Sequence, residues 1–112
     1  MNNLEVVKKF LNGEQGATAK RTLATGGIGR TLYTQDNKLI NYNTVIAILN
    51  GTEEQTKEVE VDATYYSNTT SKIQTSIIKQ VNAMRRTGHQ MAVCISGDAK
   101  RVEWLSGYID NE

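Results

Sequence analysis

Residues 58–86 read EVEVDATYYSNTTSKIQTSIIKQVNAMRR, and two hydrophobic periods meet inside this one stretch. In its first part Val59, Val61 and Ala63 alternate with Glu60, Asp62 and Thr64, the two-residue period of a strand with one wet face, over Glu58 to Tyr65. In its second part Ile73, Ile77, Val81 and Met84 recur at three- and four-residue steps, the stripe of a helix lying on a sheet, over about Thr70 to Arg86. Ser71 and Gln74 have capping-box spacing at the start of that helix. Two arginines favour the dipole at its end, and Thr87-Gly88 closes it.

Working outward, Asn2 or Asn3 caps a first helix with Leu4, Val7 and Leu11 as its buried stripe, helped by Phe10, and Asn12-Gly13 stops it. From Thr18 to Thr34, β-branched and polar residues alternate around Gly26-Gly27-Ile28-Gly29, which predicts two strands and a glycine turn. Gln35 to Lys38 makes the next turn. Leu39 to Leu49 begins with alternation and becomes continuously apolar, as in one central strand covered on both faces or carrying a bulge. Asn50-Gly51 ends that strand, and the polar run Thr52 to Lys57 predicts a longer hairpin loop. After the second helix, His89 to Ile95 reads as a strand, Ser96-Gly97-Asp98 as a turn, and Val102 to Ile109 as a last strand or short helix carrying Trp104 and Tyr108. The order predicts one α+β domain over 1–112: a mainly antiparallel sheet of about five strands, with the N-terminal helix and the longer helix (about 70–86) on one face.

Composition narrows the function classes. Thirteen basic against twelve acidic residues exclude both a strongly acidic nucleic-acid mimic and a strongly basic histone-like tail. One Cys and one His exclude a disulfide framework and an all-Cys/His zinc site within the chain. Charges interrupt every apolar run of residues 1–10, so neither a signal-peptide core nor a membrane span is expected, and the expected compartment is the cytoplasm.

The charges are nonetheless segregated. Residues 15–35 hold Lys20, Arg21 and Arg30 without an acid, and residues 63–97 hold Lys72, Lys79, Arg85 and Arg86 without one. Residues 50–62 hold five acids against Lys57. Lys72, Lys79 and Arg86 are spaced by seven and so line one helix face, with Ser76 and Ala83 on nearly the same line. Such a ridge is either a solvated surface or a grip on an anionic partner such as a phosphate backbone. Ser67, Thr69, Thr70 and Ser71 cluster at a helix N-terminus, where they either cap the helix or help hold an anion.

No catalytic constellation emerges, and no cofactor or metal is expected. Thr25-Gly26-Gly27-Ile28-Gly29-Arg30 lacks the spacing and Lys-Ser/Thr ending of a P-loop, and reads as a hairpin tip or a mobile arm. His89 and Cys94, five apart on a strand, fall on opposite faces, and Cys94 is expected to be a buried small hydrophobe. Glu58, Glu60 and Asp62 share a strand face as a solvated, edge-protecting row, with a hard cation as the alternative.

Three blocks carry a resemblance: Leu32-Tyr33-Thr34, then Lys38 to Ala47, then Tyr65-Tyr66-Ser67-Asn68-Thr69-Thr70-Ser71-Lys72-Ile73-Gln74. In order and spacing they resemble a family of small uncharacterised bacteriophage and prophage proteins, with the pattern L-Y-S, L-x-S-Y-x-T-x-I-A, Y-S-x-T-T-S-x-H-Q. The resemblance spans about residues 31–80 and departs at Asn41, where the family favours Ser, and at Ile73, where it favours His. It implies a phage or prophage origin and a host-cell cytoplasmic setting. Three functions are weighed on these grounds. The first is a non-enzymatic accessory protein that binds and inhibits a host protein or ribonucleoprotein complex, for example an anti-CRISPR or other anti-defence inhibitor. The second is direct nucleic-acid binding through the basic helix face and the arm around Arg30. The third is an oligomeric nucleotide-sequestering protein. No membrane partner is expected, and an exposed sheet edge would invite a homodimer.

Overall fold

The computed structural model describes residues 1–22, 26–51 and 56–110, with the side chains of Arg21 and Ile28 excepted. Helix α1 (Asn3–Leu11) starts on a complete capping box: the Asn2 side chain accepts from Glu5 N–H at 2.8 Å, and the Glu5 carboxylate accepts from Asn2 N–H at 3.2 Å. Its buried residues are Val6, Val7, Phe10 and Leu11. The expected stripe is therefore corrected at one position. Leu4 is 46% exposed and Val6 takes its place, because the two four-residue steps 6/10 and 7/11 make the seam that meets the second helix and the sheet.

Strands β1 (Arg21–Thr22) and β2 (Ile28–Gly29) form a separate antiparallel ribbon, so Ile28-Gly29, expected within the glycine turn, is instead its second strand. Residues 23–25 lie outside the described residues. Five further strands make the main sheet in the order β3 (Leu32–Gln35), β4 (Lys38–Asn41), β5 (Thr44–Asn50), β6 (Lys57–Asp62), β7 (Met91–Ser96). All neighbours are antiparallel except β6 and β7, which are parallel because the long helix α2 (Asn68–Arg86) joins them as a crossover. Helix α3 (Ala99–Ser106) follows β7, so the last apolar segment is a helix. Gly97 makes the reversal into α3 at φ +133°, and a Cβ there would stand 3.2 Å from Thr64 N.

The single strand expected over Leu39 to Leu49 is instead a hairpin. Tyr42 turns the chain with φ +56°, a conformation that non-glycine residues adopt only when their surroundings hold it. Here the carbonyl of Thr31 does so, accepting from Tyr42 N–H at 2.7 Å and from the Asn41 amide at 2.8 Å. A bulge in β5 follows: Leu39 pairs with Ala47 but Ile40 pairs with Val45, which leaves Ile46 extra and turned into the core.

α1, α2 and α3 share one face of the sheet, α1 against β3 and β4, α3 against β7. Val59 and Val61 of β6 and Met91 of β7 face them and are buried with Ile73, Ile77, Ile78, Val81 and Leu105. Glu58 and Glu60 point to the other, open face. The expected loop Thr52 to Lys57 and the acids Glu53 and Glu54 fall largely outside the described residues. Among those described, no helix is long and apolar enough to cross a membrane.

Candidate functional site: the outer face of the long helix

The start of α2 is one residue pair earlier than its periodicity suggests, and its cap is different. Ser67 is the N-cap, its hydroxyl accepting from Thr70 N–H at 3.1 Å, and this replaces the expected Ser71/Gln74 box. Gln74 is fully buried and donates to the carbonyls of Asp62 at 2.6 Å and Thr64 at 3.0 Å, fixing the chain that enters the helix. The buried Thr70 hydroxyl donates to Asn41 Oδ1 at 2.6 Å, and Ser71 Oγ accepts from Arg101. Of the four residues weighed as an anion cradle, Ser67, Thr70 and Ser71 are thus engaged in the fold, and Thr69 faces solvent beside a pocket of ≈ 420 Å³.

Lys72 and Lys79 lie on the side of α2 opposite Ile73, Ile77 and Val81, exposed, and among the described residues neither has a carboxylate within 4.0 Å. The Lys79 ammonium sits 5.5 Å from the centroid of the Tyr108 ring. Arg86 continues the line about 21 Å from Lys72 along the axis, at 1.5 Å per residue, but it is ion-paired with Asp110. Ser76 gives its hydroxyl to the carbonyl of Lys72 at 2.9 Å and is not a free donor.

The remaining cations do not join this face. Arg85 points inward and donates to the Met91 carbonyl at 2.8 Å, tying the helix end to β7. Arg30 donates to the Thr18 carbonyl at 2.7 Å, clamping the base of the ribbon. Lys20 is exposed on the ribbon, and the side chain of Arg21 is outside the described residues. The seven cations therefore form no single surface: Lys72 and Lys79 are available, Arg86 is tethered on the same face, and Lys20 and Arg30 belong to a separate ribbon.

Arg101 is the residue that the sequence did not announce. From α3 its Nε donates to the Ala63 carbonyl at 2.8 Å, and one terminal nitrogen donates to Ser71 Oγ at 3.0 Å and Gln74 Oε1 at 2.9 Å. The guanidinium lies 4.0 Å from the Trp104 ring centroid and 5.3 Å from that of Tyr65. One side chain thus binds α3, α2 and the β6–α2 connection together.

On the open face Asp62 is held by local donors. Burial pushes its carboxyl up, yet bonds from the Tyr66 hydroxyl and from Thr64 outweigh that and leave it below the ordinary carboxylate value. Tyr66 is shifted upward by its bond to Asp62, with burial and the carboxylate's charge adding to it. Asn50 donates to Glu60 at 2.6 Å. The carboxylates of Glu60 and Asp62 are thus directed to separate partners, and among the described residues no group of three His, Cys, Asp or Glu is placed to hold a metal ion.

His89 is exposed on the turn after α2, outside any strand. Cys94 is a correction, for it is exposed rather than buried. Met91, Val93 and Ile95 turn toward the helices, whereas Ala92, Cys94 and Ser96 turn to the open face, which no second layer of the described residues covers. No family model, curated protein or solved structure matches the chain.

Proposed function

We propose that the protein is a non-enzymatic accessory protein of phage or prophage origin that binds, and by binding blocks, a protein or nucleoprotein assembly of its host cell, as an anti-CRISPR or other anti-defence inhibitor does. The observation that carries this reading is the outer face of α2. Over 19 residues the helix has no acid, it presents Lys72 and Lys79 without a carboxylate partner among the described residues, and it lies across the sheet from Glu58 and Glu60. A surface polarised in this way steers and orients an anionic partner. Ser67, Gln74 and Arg101 hydrogen-bond the start of the helix to the β6–α2 connection and to α3, so the backbone that carries the two lysines is held in place before docking.

The test is affinity capture of the full chain from host lysate, followed by plaquing of a defence-sensitive phage on cells expressing it. A partner captured in stoichiometric amount, with plaquing restored by the native chain and lost in Lys72→Glu/Lys79→Glu, supports the reading. Absence of a stoichiometric partner, or full potency in the double variant, removes it.

Direct nucleic-acid binding is a second reading, favoured by the seven-residue spacing of Lys72, Lys79 and Arg86. Two to three phosphate contacts predict log K falling against log salt with a slope of about −2 to −3. A flat titration at low salt removes it.

A further inference from the structure

Strand β7 ends the sheet, and among the described residues nothing pairs with its outer edge. The opposite edge is closed, because Thr18 N–H donates to the Leu32 carbonyl and Thr34 N–H donates to the Gly16 carbonyl, laying residues 16–18 along β3. Natural edges are usually blunted by charge, proline or a bulge. The six residues Met91-Ala92-Val93-Cys94-Ile95-Ser96 contain no charge and no proline, and their register with β6 is unbroken. We propose that this edge is the contact surface of a symmetric homodimer, in which two β7 strands pair antiparallel about a two-fold axis perpendicular to the sheet.

Two features point to a second copy of this chain as the occupant. The first is the side-chain alternation. A two-fold perpendicular to the sheet keeps each face on its own side, so strands centred on Val93 or on Cys94 bring apolar residues against apolar ones beneath the helices and small residues against small ones on the open face. The second is the flank of α3: Arg101 faces α2 and Leu105 is buried against the sheet, so helical geometry puts Val102 and Ser106, short uncharged side chains, on the side of α3 away from α2, where a second copy would lie. The product is a continuous ten-stranded sheet with both α2 faces looking the same way.

Light scattering, hydrogen exchange and cross-linking of the full chain test this together. The expected mass is twice 12.4 kDa at high protein concentration. Every amide from Ala92 to Ser96 is then protected, whereas an unpaired edge leaves alternate amides in fast exchange. Cys94 is opposite its own copy or diagonal to it, at Cβ separations of about 5 to 8 Å, so a short bismaleimide joins the two chains in high yield. Ala92→Lys/Cys94→Lys places its ammonium groups beside Glu58 and Glu60 of the same chain, which lets the monomer fold, but sets lysines against each other at the two-fold. This variant is expected to run at 12.4 kDa with an unchanged circular dichroism spectrum. Should the variant not fold, the exchange and cross-linking of the native chain decide alone. A native chain that stays monomeric, alternate fast exchange along β7, or a dimer that survives the lysine variant each overturns the proposal.

Discussion

Truncating Arg101 to alanine removes three hydrogen bonds and two aromatic contacts with one substitution, and the structure sets the size of the loss. The Ala63 carbonyl and Gln74 Oε1 are each left without a donor that they have at 2.8 and 2.9 Å, and Gln74 is fully buried. An orphaned buried acceptor costs about 1–3 kcal/mol. Loss of the guanidinium from the Trp104 and Tyr65 rings adds about 0.5–1 kcal/mol at a partly exposed site. Relaxation and water entry recover part of the sum, so the expected destabilisation is about 3 kcal/mol. For a chain of 112 residues that corresponds to a fall in Tm of roughly 10–15 °C. The assay is urea unfolding followed by tryptophan fluorescence, which reads Trp104 directly, paired with a thermal scan. Arg101→Lys keeps the charge but not the fork of donors and is expected to lose more than half as much. A cycle with Gln74→Leu is expected to show coupling of at least about 1 kcal/mol, since the two side chains are in contact. If Arg101→Ala costs under about 1 kcal/mol, or the cycle shows no coupling, Arg101 is not the tie between α3 and α2 and the reasoning is wrong.

Asp62 gives a pH prediction. Its folded pKa lies below its unfolded value, so its stabilisation is present above the unfolded value and is lost as pH falls through the folded one. Unfolding measured from neutral pH down to pH ~2 should show a shallower acid limb in Asp62→Asn, and Tyr66→Phe should shift the limb the same way by removing the main bonded donor. Ser67→Ala removes the α2 cap and is expected to cost about 1 kcal/mol in urea unfolding. Asn41→Ser shortens the side chain that accepts from Thr70 and donates to Thr31, and is expected to cost about 1–2 kcal/mol. Lys72→Glu/Lys79→Glu lies on the solvent face and should change stability by no more than about 0.5 kcal/mol.

Periodicity carried most of the architecture. Val59/Val61 against Glu58/Glu60, and Ile73, Ile77, Val81 and Met84, give β6 and α2 their types because each buries one side only. The turn at Tyr42-Asn43 was hidden for a physical reason: it contains no glycine or proline, and Tyr42 holds φ +56° only because the distant Thr31 carbonyl binds it. Cys94 misled because an apolar run does not say which side of its sheet is covered, and here, among the described residues, it is the helix side that is. The charge pattern placed Lys72, Lys79 and Arg86 on one helix face, as helical geometry requires. It did not place Arg85, whose target is the Met91 carbonyl, nor pair Arg86 with Asp110, since both depend on contacts made after the chain folds back. Arg101 left no trace in local sequence, because Ala63, Ser71, Gln74 and Tyr65 come from 27 to 38 residues away.

The central claim, that the acid-free face of α2 engages the partner, is tested most directly by measuring the affinity of the captured partner for three forms of the protein. These are the native chain, Lys72→Glu/Lys79→Glu, and Lys38→Glu, a charge reversal on the opposite, open side of the sheet. A loss of tenfold or more, about 1.4 kcal/mol, in the α2 variant with little change in the Lys38 variant is the predicted result. Equal losses in both variants, or unchanged affinity in the α2 variant, contradict it.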